Sequence, residues 1–215
     1  MSLDRRSGSP TRLSTARIAR ILGALATLVA LGGIALATLL DPTFSWTGDA
    51  LSDLGVRDRS APVFNGGLIL GGAIGLGYAA GLWGLPPASE AGATGRESGS
   101  IITRLRAVVF AASMLAMAGV GLFDLTHPLH FPAAVGFYLL VTVTLAIDGV
   151  GRRRTTDGRV TLAFVPVHVL VWATFIAGLW PVTGLALPEL PGALMLAAWV
   201  WVLGPLPVVP RSRPD

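Results

Sequence analysis

The sequence predicts an all-α fold: a polytopic membrane protein built as a six-transmembrane-helix bundle with both termini cytoplasmic. Two observations predict it, namely six long apolar segments and arginines that alternate between the loops joining them. The segments lie at about 18–40, 63–84, 105–123, 130–150, 160–182 and 189–209. A helix of about 20 apolar residues crosses a bilayer core of about 30 Å and pairs its own backbone polar groups.

The composition leaves room for one membrane domain and little else. Hydrophobic residues make up 53% of the 215 residues and charged residues 13%, against about 25% charged in soluble domains. We therefore expect a membrane domain at about 18–210, a disordered basic cytoplasmic tail at 1–17 and a short tail at 211–215. Cysteine is absent, which excludes disulfides, thiolate metal sites and cysteine nucleophiles.

The arginines predict the orientation of the bundle. Fourteen of them fall in the two tails and in the second and fourth loops, while only Arg57 and Arg59 fall in the first loop. Short cytoplasmic loops retain arginine, so this distribution predicts a multi-pass protein of the cell membrane. The net charge of +4 follows the loops of a membrane protein, so we expect membrane lipids as partners and no nucleic acid.

Each segment has features of a transmembrane helix. The first is preceded by about 20 mostly polar residues and is longer than the apolar part of a signal peptide. The second is rich in glycine over Leu70–Gly77, which allows close helix packing. The third and fourth are joined by a very short loop. The fifth contains Pro166, and the sixth carries no ionisable residue over Pro191–Pro210.

The first loop and the start of the second helix carry polar candidates on the outer side. Ser52 and Asp53 are predicted to lie near the outer membrane surface, in a short helix that Thr47 caps and that Gly55 ends in a left-handed conformation. Asn65 follows at the start of the second segment. Each of these has a plain reading as part of a loop helix.

The third loop predicts a second polar group on the same side. It holds Asp124, His127 and His130, which either flank a turn around Pro128 or supply metal ligands. Histidine and carboxylate ligands can hold Zn²⁺ and leave one position for a reactive water. In that reading the catalytic candidates are Ser52, Asp53, Asp124, His127 and His130, and we expect Asp53 to reach at least one of the other loop's side chains.

Two further ionisable residues lie within apolar segments. His168 is predicted to lie roughly 12 Å inside the fifth helix, either hydrogen-bonded to a neighbouring helix or acting as a ligand. Asp148, near the end of the fourth helix, is predicted to pair with the arginine turn that follows it.

Two motifs suggest a family. Ser52-Asp53-Leu54-Gly55, followed by Phe64-Asn65, resembles the prokaryotic six-span membrane family catalogued as domain of unknown function 998. The resemblance covers roughly residues 18–208 and implies the six-span fold, but it implies no activity. A more distant likeness, with Leu54 in place of a threonine, links the first loop to the Frag1/DRAM/Sfk1 membrane proteins.

Three classes of function remain open at this stage. The first is a membrane protein that binds lipid or a membrane-protein partner through an outer-facing polar pocket. The second is a metal-dependent intramembrane hydrolase of a lipid or head group, with zinc as the possible cofactor. The third is a small transporter, although broken helices and inverted repeats are not evident.

Overall fold

The structure, a computed structural model, describes residues 10–86 and 93–209, with side chains described at 15–86 and 99–209. It confirms the all-α class: six helices are long and apolar enough to cross a membrane, and the described residues contain no strand. The helices are α1 (Pro10–Leu40), α2 (Ala61–Trp83), α3 (Ala93–Leu122), α4 (His130–Gly151), α5 (Thr156–Ile176) and α6 (Ala186–Ala198). A short 3-10 helix, Leu51–Gly55, lies between α1 and α2, and we call it the lid helix.

Two helices, α1 and α3, begin well before the predicted segments. Helix α1 starts at Pro10, inside the tail for which we expected disorder, and residues 1–9 lie outside the described part. Proline is favourable in the first turn of a helix, and no glycine or proline occurs between Thr11 and Leu22. Helix α3 starts at Ala93, well before the predicted third segment, which begins at about 105; residues 87–92 lie outside the described part.

The last helix also differs from the prediction, because it starts and ends earlier. Helix α6 continues as a π-helical turn, Trp199–Leu203, and stops before Gly204-Pro205 rather than near residue 209. Proline cannot donate a backbone hydrogen bond, so the helix cannot continue there. The chain then folds back, and the hydroxyl of Tyr78 donates to the carbonyl of Leu206 at 3.0 Å.

The helices pack in chain order around a common interior. Each of α1 to α5 contacts the next, and α6 packs against α4 and α5. The π-helical turn contacts α1 and closes the ring, whereas the backbones of α1 and of the α-helical part of α6 come close at few positions. Small residues permit the closest contacts: a Cβ atom on Gly72 would lie 2.6 Å from the carbonyl oxygen of Met114.

The two ends of the bundle differ in character. The end that carries the lid helix and the α3–α4 and α5–α6 loops is called the lid end. The opposite end, with the α4–α5 turn and Arg152, is called the arginine end. Large apolar side chains such as Leu39, Leu139 and Ile176 are exposed on the outer surface of the helices, as expected where lipid replaces water.

Candidate functional site

A large cavity lies inside the ring of helices. It is lined by α1, α2, α3, α4 and α6, and α5 contributes no lining residue. The space between these side chains measures about 880 Å³ when its open mouth and the solvent there are included.

The cavity is mainly apolar, so it differs from the outer-facing polar pocket that we predicted. Its walls carry aliphatic and aromatic side chains, among them Ile34, Met117, Phe137 and Leu196. Tyr78 and Phe110 close it at the arginine end, with ring centroids 5.4 Å apart. Its polar side chains include Ser52 and Glu189 at the lid end.

The lid helix covers one end of the cavity and is held there by its own loop. The guanidinium of Arg57 bridges two carboxylates, at 2.9 Å from Asp41 and 3.0 Å from Asp49. Asp41 also accepts hydrogen bonds from the hydroxyl and the backbone N–H of Thr43, and Asp49 accepts one from the N–H of Ser45.

These contacts lower the pKa values of both carboxyl groups. The Thr43 hydroxyl and then Arg57 lower the pKa of Asp41, and the Ser45 N–H and then Arg57 lower the pKa of Asp49. Correspondingly, the pKa of Arg57 is raised, chiefly by Asp41. The loop is therefore fixed by a charge clasp that is strongest when both acids are ionised.

The loop between α1 and α2 that carries the lid helix is called the lid loop, and it docks on the α5–α6 loop through backbone groups. The N–H groups of Thr183 and Gly184 donate to the carbonyl of Thr47 at 3.0 and 2.9 Å, and Ala186 donates to Asp49 at 3.0 Å. A Cβ atom on Gly184 would collide with the backbone of Asp49, so glycine is needed for this close approach. Thr47 thus serves as a docking point.

Two details of the predicted lid helix were wrong. The helix starts at Leu51, after Ala50, so Thr47 does not cap it. Gly55 does not adopt a left-handed conformation, since the positive φ found in the described residues belongs to Gly178. Two side chains at the start of α2 end the helix instead: Ser60, just before α2, donates to the Leu54 carbonyl at 2.8 Å, and Asn65 donates to the Gly55 carbonyl at 2.9 Å.

Asp53 and Ser52 occupy different positions in the lid helix. A carboxylate oxygen of Asp53 accepts the N–H of Ala50 at 2.7 Å, which satisfies a free backbone donor at the helix start. Ser52 is buried and lines the cavity. Among the described residues, no hydrogen bond or ion pair joins Asp53 to Asp124, His127 or His130, so the structure gives the expected contact no support.

The α3–α4 loop holds its own polar side chains in a turn. Asp124 accepts from the hydroxyl and the N–H of Thr126, which lowers the pKa of Asp124. His127 accepts from the N–H of Leu129 at 3.1 Å and stacks on Phe123. The Nδ1 atom of His130 lies 2.6 Å from the Phe123 carbonyl oxygen.

These contacts match the plain reading of the loop as a turn. In the part of the chain that the structure describes, no group of three histidine, cysteine or acidic side chains is placed to hold a metal ion. The metal set of Asp124, His127 and His130 therefore remains a prediction from sequence, with no geometry to support it.

His168 is fully engaged with neighbouring side chains. Its Nε2 atom accepts from the indole N–H of Trp172 at 3.2 Å, and its Nδ1 atom lies 2.9 Å from the hydroxyl of Thr142 on α4. The Thr142 hydroxyl donates to the Tyr138 carbonyl, so Nδ1 is the protonated nitrogen in this network. His168 joins α5 to α4 and does not line the cavity.

Asp148 is the centre of a buried ionic network at the arginine end. As the sequence predicted, it pairs with Arg152 of the arginine turn, and it also pairs with Arg106 of α3 at 3.0 Å. Its second oxygen accepts the indole N–H of Trp199 at 2.7 Å. Arg152 also donates to the carbonyl of Leu203, so the network joins α3, α4 and α6.

The sequence reading missed Glu189, the buried acid at the lid end. It is only 7% exposed, and its Oε2 atom accepts the N–H of Leu51 at 2.8 Å. Glu189 is the one acidic residue between Asp157 and Asp215 and opens an apolar segment. An ionisable residue in such a segment is a site candidate, and that signal was available.

Comparison with known proteins gives a family but no activity. A family model described as a protein of unknown function (DUF998) matches residues 24–205, which is most of the chain. No curated protein and no solved structure matches the chain.

Proposed function

The chain belongs to the DUF998 family of proteins of unknown function, and we propose, from its own geometry, that it binds a membrane lipid inside its helix bundle. The cavity is the observation that carries the proposal. Its walls are apolar over most of their length, and its polar groups Ser52 and Glu189 lie together at the lid end. That arrangement fits an amphipathic molecule with one long chain and a small head.

A route from the bilayer supports the same proposal. Helix α1 meets the π-helical turn after α6, where the indole N–H of Trp201 donates to Thr27 at 2.6 Å. Nearer the lid end the backbones of α1 and α6 come close at few positions, and Leu31 on α1 and Ala193 on α6 both line the cavity. A lipid chain would enter sideways between these two helices without crossing water.

The lid helix would cover the head group of a lipid bound in the cavity. The lid helix places Leu51 and Ser52 against the cavity, and the Arg57 clasp holds the loop in place. In the proposed orientation the protein lies in the cell membrane with both termini in the cytoplasm and the lid outside. The bound lipid would then have its head in the outer leaflet. The distant likeness to the Frag1/DRAM/Sfk1 proteins stays a prediction.

The other two classes of function are not part of the proposal. A metal hydrolase would need the α3–α4 loop side chains to converge, and they bond within their own turn. A transporter would need His168 or a similar group on a path, and His168 is bonded to Trp172 and Thr142 away from the cavity.

A matched pair of variants tests lipid binding. Ala193 lines the cavity, and its neighbour Leu194 is exposed on the outer surface of α6. Purified protein in detergent is mixed with hexadecanol, and bound lipid is counted by native mass spectrometry. We expect saturable binding of one molecule, weakened about tenfold, or about 1.4 kcal/mol, by Ala193→Phe and unchanged by Leu194→Phe. Equal binding by both variants, or binding that never saturates, would contradict the proposal.

A further inference from the structure

We propose that Glu189 selects the head group of the bound lipid and favours a neutral or cationic head that donates a hydrogen bond, such as an alcohol or an amine. This inference rests on the proposed lipid binding and adds the chemical class of the ligand.

The first step is the state of the carboxylate. Glu189 is nine-tenths buried and lines the cavity, and its Oε2 atom is held by the N–H of Leu51. The other oxygen, Oε1, accepts no hydrogen bond from any described residue. In a mostly apolar cavity this oxygen has no donor from the protein, and a donating ligand group would satisfy it.

The second step concerns the hydroxyl groups beside it. Ser52 and Tyr138 line the same cavity, and neither hydroxyl forms a hydrogen bond with the described residues. Tyr138 lies near enough to Glu189 to interact with its charge. Three open polar groups thus face one end of a mostly apolar space. They can bind a head group that donates to the carboxylate and forms a second hydrogen bond with a hydroxyl, which can donate or accept.

The third step is the balance of charge at the lid end. Asp53 is close enough to act electrostatically on Glu189, and no arginine lines the cavity. Arg57, on the lid loop, is engaged by Asp41 and Asp49. A phosphate or sulfate head would therefore meet a carboxylate without a cation to balance it. Like charges brought together at a desolvated site strongly oppose binding.

The test compares three lipids with the same chain: hexadecanol, hexadecylamine and hexadecyl sulfate. Binding is measured by native mass spectrometry at about pH 8, well above the ordinary pKa of a glutamate side chain. We expect the alcohol and the amine to bind the unmodified protein at least about tenfold more tightly than the sulfate. This comparison needs no variant, so it stands even if a substitution at Glu189 impairs folding.

Two variants then assign the selectivity to one carboxylate. Glu189→Gln keeps the size and the hydrogen-bond acceptor but removes the charge, and it should bring the ratio of amine to sulfate affinity near one. Asp124→Asn removes a carboxylate at the same end outside the cavity and should leave the ratio unchanged. Sulfate binding as tight as alcohol binding, or an unchanged ratio in Glu189→Gln, would overturn the inference while lipid binding itself stands. Failure of all three lipids to bind would overturn the proposed function instead.

Discussion

A buried ionic network lies at the arginine end, around Asp148. Its carboxylate is fully buried and accepts hydrogen bonds from three side chains on three helices. Two arginines share this one acid, and the Nε atom of Arg106 has no hydrogen-bond partner in the described part of the chain. Such a network contributes to stability only while it is intact, because a buried charge that loses its partner is very unfavourable.

Removing the charge of Asp148 is therefore expected to destabilise the bundle. Asp148→Asn would leave Arg106 and Arg152 without a counter-ion and should lower the free energy of unfolding by about 3–5 kcal/mol. Thermal unfolding in detergent measures the change. Asp58→Asn is the control, because Asp58 is exposed and forms no ion pair with the described residues. Equal melting temperatures for the two variants would refute the structural role of the network.

For single residues, the sequence predicted interaction partners more accurately than it predicted which residues are buried. The pairing of Asp148 with the arginine turn follows from spacing, because residues four apart on a helix face each other. Arg106 is one of the arginines that we assigned to the loops from the sequence. The residues around it in the sequence do not show that α4 places Asp148 next to it. Glu189 could have been found as an ionisable residue at the start of an apolar segment, but its partner could not, because the Leu51 N–H lies 138 positions away in the chain.

Among the elements, the lid helix is the one whose position depends most on other parts of the chain. Its first N–H groups are met by carboxylates from Asp53 and Glu189, and its last carbonyls by Ser60 and Asn65. The short helix itself was predictable from the sequence. Its bounds and its docking were not, because long-range backbone contacts fix them.

Docking of the lid should fail when Gly184 gains a side chain. Gly184→Ala would force a methyl group into the backbone of Asp49 and separate the two loops. Ser52→Cys provides the probe, because Ser52 is buried and the chain has no other cysteine. We expect maleimide labelling of that cysteine to speed up in Gly184→Ala. It should not change in Gly66→Ala, where the added methyl group meets open space; the same rate in both would refute the docking.

The charge clasp makes the lid loop sensitive to acid. The pKa values of Asp41 and Asp49 lie below their ordinary value of 3.8 in the folded protein. Their stabilising contribution is thus present above that ordinary value and is lost as the pH falls through the folded pKa values. Arg57→Gln removes the shared partner.

Melting temperatures as a function of pH check this prediction. The difference between the unmodified protein and Arg57→Gln should be constant above about pH 5 and should shrink in stronger acid. Arg59→Gln is the control, since Arg59 forms no ion pair with the described residues. A difference that grows as the pH falls would contradict the clasp.

For the whole molecule, hydropathy predicted the class and the six helices correctly. The ring order of the helices and the cavity inside it were not predictable. The outer surface of the helices and the cavity wall are built from the same types of apolar residue. The sequence alone therefore does not distinguish an outward residue such as Leu139 from a cavity residue such as Leu196. The α3–α4 loop shows that ionisable residues close in sequence need not converge on one site. Its three ionisable side chains form hydrogen bonds within the turn and at the end of α3.

Photolabelling with a hexadecanol that carries a diazirine in its chain tests the central claim, a lipid inside the bundle, most directly. The labelled residues are identified by mass spectrometry after proteolysis. We predict labels on cavity residues such as Ile34, Met117 and Leu196, which excess hexadecanol suppresses and Ala193→Phe removes. Labels spread evenly over outward residues such as Leu139 and Leu170, unchanged by competitor, would contradict a lipid site within the bundle.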